Sequence, residues 1–239
     1  MVIYQPINGY CYNSDTHFLY SFICKCLEKY KNIQGELLDI GSGSGVLGFL
    51  LVKNYSKLVL NQIEIQKEFQ FLSNKNSQIN KISTSLYCED FLTINFDKEF
   101  DICVSNPPFY HKNVIKSENE SLSIARYNDK LPLNELIKKA SQILKSDGKL
   151  FFCYDSKQLV EIFSSLKEYK FNIESIQFVH PKSNKDASLV LVYAKKDSKS
   201  LLKIFKPLIV FEENGKFTQE VEHIYKNISL NSIKAQYSE

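Results

Sequence analysis

Two hydrophobic rhythms alternate along this chain. Short runs of β-branched and aliphatic residues are followed by longer stretches in which apolar positions recur at helical spacing. The runs Glu36–Ile40, Lys57–Ile65, Ser83–Cys88, Phe100–Ser105, Gly148–Tyr154, Phe171–Val179 and Ser188–Ala194 read as strands. Helical spacing fills Asp15–Tyr30, Val46–Asn54, Gln66–Asn80, Leu133–Lys145 and Ser156–Tyr169. Strands alternating with helices of this length predict an α/β fold, Rossmann-like, in which a seven-stranded and mostly parallel sheet carries helices on both faces. Pro132 suits a helix start, and Ser146-Asp147-Gly148 supplies a flexible helix C-cap ahead of a strand. Beyond the seventh strand, Leu201–Val210 and Gly215–Tyr225 predict a further strand and a short helix, after which the chain from Asn227 fades into polar residues. The stretch Tyr110–Lys130 lacks either rhythm, and so long a loop inside a compact fold is usually functional or disordered.

Composition changes this picture little. With 239 residues and 44% apolar content the chain can bury a full core, so one domain spanning 1–239 is expected. No apolar run reaches the roughly 18 residues that span a bilayer, and the first residues lack a basic segment followed by an apolar one. A cytoplasmic protein without membrane contact is expected. The six cysteines, Cys11, Cys24, Cys26, Cys88, Cys103 and Cys153, mostly sit in apolar runs without zinc-site spacing, so no metal is assigned. A net charge of only +3 gives no argument for nucleic-acid binding from bulk charge, which leaves a local basic patch as the requirement.

Chemistry enters at Leu37-Leu38-Asp39-Ile40-Gly41-Ser42-Gly43-Ser44-Gly45. Three alternate glycines let the backbone bend sharply at a strand end and approach a ligand closely. The spacing is not that of a dinucleotide fingerprint. Asp39 would repel a pyrophosphate there, but it would favour the ammonium of an amino-acid-bearing nucleoside such as S-adenosyl-L-methionine. The next strand ends in Glu64-Ile65, where a carboxylate can accept bonds from both ribose hydroxyls. The third ends before Asp90-Phe91, which can receive an adenine amino group and lie along the ring. Cofactor-binding positions are therefore Asp39, Gly41, Gly43, Gly45, Glu64, Ile65, Asp90 and Phe91.

The fourth strand runs directly into Asn106-Pro107-Pro108-Phe109, at the edge where open α/β sheets bind ligands. An exocyclic amino group is a poor nucleophile because its lone pair is delocalised into the ring. Two acceptors, the Asn106 side chain and the Pro107 carbonyl, can grip its two N–H bonds and favour a more pyramidal nitrogen, while Phe109 stacks on the planar acceptor. Catalytic positions are therefore Asn106, Pro107 and Phe109. A planar conjugated nitrogen is specified, with adenine, guanine and the glutamine amide all open.

With these residues in place, the chain resembles the bacterial tRNA adenine-N6 methyltransferases that modify the adenosine beside the anticodon of a valine tRNA. Beside the two motifs, the resemblance rests on Gln5, the Tyr10–Thr16 segment, Ala125-Arg126-Tyr127, Leu208–Phe211 and Phe217–Glu220. It implies a class I methyltransferase fold, S-adenosyl-L-methionine as cofactor and tRNA as partner. Residues 1–35 become a segment that closes over the cofactor, residues 197–239 a C-terminal extension, and Asp15 and Asn106 join the cofactor contacts. RNA phosphates are expected at His111, Lys112, Lys116 and Arg126. The family often has Tyr where Phe109 stands. A release-factor glutamine methyltransferase and a ribosomal guanine-N2 methyltransferase are the alternatives, although the first usually carries a longer N-terminal helical domain and the second a duplicated one. A catalytically silent RNA-binding or scaffold domain is a further reading, opposed by Asp39, Glu64, Asp90 and Asn106.

Overall fold

Side chains alternate across the central strands, and this period of two builds two cores on one sheet. In β6 (Leu144–Asp155), Phe151 and Cys153 face one core while Leu150, Phe152 and Tyr154 face the other. The same division runs through β5 (Phe100–Ser105) and β8 (Leu189–Lys196). On the first face pack α1 (Ser14–Leu27) and α2 (Val46–Asn54); on the second pack α4 (Leu133–Ile143) and α5 (Leu159–Glu168). Strands covered on both sides are nearly continuous apolar runs. The computed structural model describes residues 1–7, 11–107 and 131–236.

The seven expected strands form the body of the sheet. β2 (Gln34–Ile40), β3 (Lys57–Ile63) and β4 (Thr84–Tyr87) join β5 and β6 in parallel, in the order β4-β3-β2-β5-β6. β8 then inserts antiparallel between β6 and β7 (Phe171–His180). α3 (Lys67–Asn80) connects β3 to β4. Two short strands, β9 (Lys203–Ile204) and β10 (Leu208–Ile209), also pair with β7 and bring the sheet to nine strands among the described residues. The single strand expected over Leu201–Val210 is thus two short ones.

Four local expectations are corrected. The helix before β6 ends at Ile143, and Leu144 already pairs with Phe100 while Lys149 pairs with Ile102, so the residues between them bulge. Asp147, not Gly148, holds the left-handed conformation at φ 63°. Gly148 is needed for space, because a Cβ there would stand 2.7 Å from the Lys145 carbonyl oxygen. The C-terminal helix α6 runs over Gln219–Ile228, beginning where the Thr218 hydroxyl accepts from the Val221 amide. Finally, the last residues do not fade: β11 (Asn231–Ala235) pairs in parallel with β1 (Val2–Pro6) at the opposite end of the chain.

The other edge of β1 is covered by side chains. Asn80 accepts from the Val2 amide and donates to its carbonyl, at 3.0 and 2.6 Å, and Asn76 does the same for Tyr4 at 2.7 and 3.1 Å. Four residues of helix rise about 6 Å and two of strand about 6.7 Å, so asparagines one turn apart match alternate strand residues. This pairing ties β1 to α3. No helix among the described residues is long and apolar enough to cross a membrane.

Candidate active site

The carboxyl ends of β2, β3, β4 and β5 meet in one cavity, and the sequence motifs sit around it. Its walls include Asp39, Gly41, Gly43, Glu64, Ile65, Asp90, Phe91 and Asn106. Gly45 stands just behind, at the N-cap of α2. Gly41, Gly43 and Gly45 all have positive φ, at 64°, 55° and 87°. Open space lies beyond a Cβ built at Gly43, whereas one at Gly45 would strike the Phe49 ring at 2.3 Å. The first two glycines therefore leave room for a ligand, and the third permits helix packing.

Asp39 is 2% exposed, and its Oδ2 accepts from the Gly48 amide at 2.9 Å. Gly48 is the third residue of α2, whose first amides have no partner within the helix, so the strand-end carboxylate also caps the helix. A side chain at Gly48 would meet Leu60 at 2.7 Å and Asp39 at 3.0 Å, which explains a glycine inside an apolar helix. Burial, with Glu64 nearby adding to it, pushes the Asp39 carboxyl up to about 7, partly opposed by the Gly48 bond. Glu64 is raised too, chiefly by burial. Its two oxygens accept from the Gly43 amide at 2.9 Å and the Gln66 amide at 2.8 Å, which fixes the carboxylate in the cavity wall. Asp90 accepts from the Leu92 amide through one oxygen at 2.9 Å, and Phe91 is 5% exposed beside it.

The N-terminal segment also reaches this cavity, through Tyr12 and Thr16. Asp15 is not among the lining residues. Its carboxyl is raised by burial and bonded to Asn13 and Ser14. Gln5, 1% exposed, bonds the Ser44 hydroxyl of the glycine loop and accepts from the Tyr12 amide at 3.1 Å, while Asn76 donates to the Ser44 carbonyl at 2.9 Å. The first strand thus ties the glycine loop to the segment above it.

Asn106 leaves β5 toward the α1 face, in step with Val104. Its Nδ2 donates to the Thr16 hydroxyl at 3.1 Å, and its Oδ1 accepts from the Cys153 thiol at 3.0 Å. Pro107 is buried beside it. Phe109, His111, Lys112, Lys116 and Arg126 lie outside the described residues.

Several lining residues carried no sequence signal of their own: Ser42, Gln66, Phe69 and Leu131. Behind the cavity wall, the apolar context of Gly48 marks a close approach in the sequence, whereas Cys153 stands beside Asn106 only through the sheet register that sets Ser105 opposite Phe152.

A family model for the methyltransferase small domain matches residues 20–177. The chain belongs to that family. Several related proteins are named tRNA1(Val) (adenine(37)-N6)-methyltransferase, those of Pedobacter heparinus and Flavobacterium psychrophilum among them. That of Pedobacter heparinus is 28% identical over 65% of this chain and 67% of its own length. That of Flavobacterium psychrophilum is 26% identical over 82% of this chain and 84% of its own. A release factor glutamine methyltransferase of Flavobacterium psychrophilum is 30% identical, over 61% of this chain and 54% of its own length. In fold, the chain matches a Thermus thermophilus 16S rRNA N2 G1207 methyltransferase solved with S-adenosylmethionine and guanosine. The TM-score is 0.57 at 17% identity, over 80% of this chain and 45% of that one.

This methyltransferase uses S-adenosyl-L-methionine. The cavity fits it. The Ser42 hydroxyl lies buried with no hydrogen-bond partner among the described residues, beside the open space at Gly43. Two buried carboxylates stand at successive strand ends and can hold a cationic amino-acid group and a diol.

Proposed function

We propose that this methyltransferase transfers a methyl group to N6 of an adenosine in tRNA, the one beside the anticodon of a valine tRNA. The observation that carries the reading is the Asn106 amide. It opens onto the cavity walled by Asp39, Glu64 and Asp90, and it is followed by Pro107, whose backbone offers a carbonyl acceptor and no N–H donor. The two tRNA relatives, one matched over most of its length, favour RNA adenine over the glutamine amide, whose relative is matched over 54% of its own chain.

Asp39 binds the cofactor's ammonium in its charged form, Glu64 the ribose hydroxyls, and Asp90 with Phe91 the adenine. S-adenosyl-L-methionine supplies an electrophilic methyl group on a sulfonium. Asn106 Oδ1 and the Pro107 carbonyl accept the two N–H bonds of the target amino group and turn its lone pair out of the ring plane. Asn106 Oδ1 keeps a lone pair for this after bonding Cys153. No strong base is required, because the nitrogen proton becomes acidic only as the new bond forms. Phe109 stacks on the base, and His111, Lys112, Lys116 and Arg126 meet phosphates. Residues 1–35 close over the cofactor through Tyr12 and Thr16, as part of one domain that includes 197–239. A cytoplasmic location goes with a tRNA substrate.

The test is nucleoside mass spectrometry of unmodified tRNA treated with the protein and methyl-labelled cofactor. Labelled N6-methyladenosine is expected. Label in N2-methylguanosine, or in a release-factor glutamine and not in tRNA, would overturn the assignment.

A further inference from the structure

We propose that Cys153 is a positioning residue for methyl transfer, fixing with Thr16 which end of the Asn106 side-chain amide is the oxygen. The inference rests on the proposed role of Asn106 as an acceptor for the target amino group. An amide has two ends of nearly equal shape and opposite hydrogen-bond character, and rotating it by half a turn would present two donors where an acceptor is needed. A residue in that role therefore needs a neighbour that tells its ends apart.

Two neighbours hold the amide. The Thr16 hydroxyl, 3.1 Å from Nδ2, cannot make the distinction alone, because a hydroxyl donates or accepts equally well. Cys153 can. Its Sγ stands 3.0 Å from Oδ1, and its side chain is completely buried between strands of the α1 face. Burial, with Asp15 adding to it, drives the thiol well above its ordinary range, so it stays an S–H group and acts as a donor. Sulfur is a weak acceptor, so a flipped amide would set its N–H₂ against a poor partner.

The placement follows from sheet register. Ser105 pairs with Phe152, so the next residues, Asn106 and Cys153, fall side by side. Both belong to the pleat that faces α1, whose first turn carries Thr16. Thr16 also lines the cofactor cavity, so one amide links the cofactor wall to the acceptor site.

The experiment compares Cys153→Ala, which removes the donor, with Cys153→Ser, which restores one. In Cys153→Ala, kcat for tRNA methylation falls about three- to tenfold, the effect of one lost hydrogen bond, while KM for tRNA and cofactor affinity stay within twofold. Cys153→Ser donates as the thiol does but, being a hydroxyl, also accepts, so it recovers kcat only in part. In parallel, the ¹⁵N order parameter of the Asn106 side-chain amide falls in Cys153→Ala and recovers in Cys153→Ser. This second arm needs no acceptor, so it decides the positioning role even if tRNA proves not to be the substrate. An unchanged kcat and order parameter in Cys153→Ala, or equal losses in both variants, would overturn the proposal. Should Cys153→Ala fail to fold, Cys153→Val against Cys153→Ser supplies the same contrast, because valine fills the space without a donor.

Discussion

The two halves of the cavity are built from different chemistry. On the cofactor side, at the ends of β2 and β3, Asp39 and Glu64 are buried carboxylates whose oxygens are bonded to backbone amides. On the acceptor side, at the end of β5, a neutral amide is held by a neutral hydroxyl and a neutral thiol. The difference matches the ligands proposed for the two sides. A cation deep in a cavity needs a fixed counter-charge, whereas an uncharged amino group needs oriented dipoles, and a full charge beside it would titrate and attract water. The cofactor half should therefore respond to pH, and the acceptor half should not.

The sharpest division comes from Asn106→Ala, which should lower kcat about a hundredfold while cofactor affinity changes by less than threefold, read by single-turnover methylation and calorimetry. Comparable losses of affinity and rate would erase the distinction between the halves. On the other side, Asp39→Asn should weaken cofactor binding by roughly ten- to a hundredfold, the range for a lost charge-assisted bond. The amide still accepts from Gly48, so melting of the cofactor-free variant at pH 8 should match or exceed the wild type; a collapse of its Tm would mean that the charge is needed for the fold.

The pH dependence tests the same contrast with a smaller signal. Asp39 is raised from 3.8 to about 7 in the folded protein, so between those values the folded chain keeps a proton that the unfolded chain has released. Its contribution to stability is thus fully present below about pH 4 and lost as pH rises through 7. An ammonium selects the ionised form, so cofactor affinity should fall by up to about tenfold per pH unit below 7, and Asp39→Asn should abolish that slope. At saturating cofactor, turnover should stay flat between pH 6 and 8, since the Cys153 thiol remains protonated there. The smallest effect is expected from Gln5→Ala, which cuts the link from β1 to Ser44 and Tyr12 and should weaken cofactor binding about threefold, measured by thermal shift at graded ligand concentrations.

Much of the fold and of the cofactor half was legible in the sequence because its signals are local. Period-two runs, glycines at a strand end and an acidic residue beside them are properties of short segments. Asp39, Glu64, Asp90 and Asn106 were all named from such segments, and they meet in one cavity. What failed was non-local. β11 has exposed residues at four of its five positions, so its sequence carries no hydrophobic rhythm; it is a strand because β1 offers it a backbone edge. Asp15 and Thr16 are adjacent in one helical turn, and only packing shows that Thr16 rather than Asp15 lines the cavity.

The sequence by itself determined the alternation of strands and helices, the glycine turn and the amide and carbonyl acceptors that Asn106-Pro107 sets at a strand end, because these depend on covalent neighbours and on side-chain period. Tertiary structure alone decided that Asp39 also caps α2, that Gln5 braces the glycine loop, and that Cys153 stands against Asn106. Each of those contacts joins residues brought together by sheet register and helix packing, and hydrogen bonds depend on separations of a few tenths of an ångström that no spacing along the chain records.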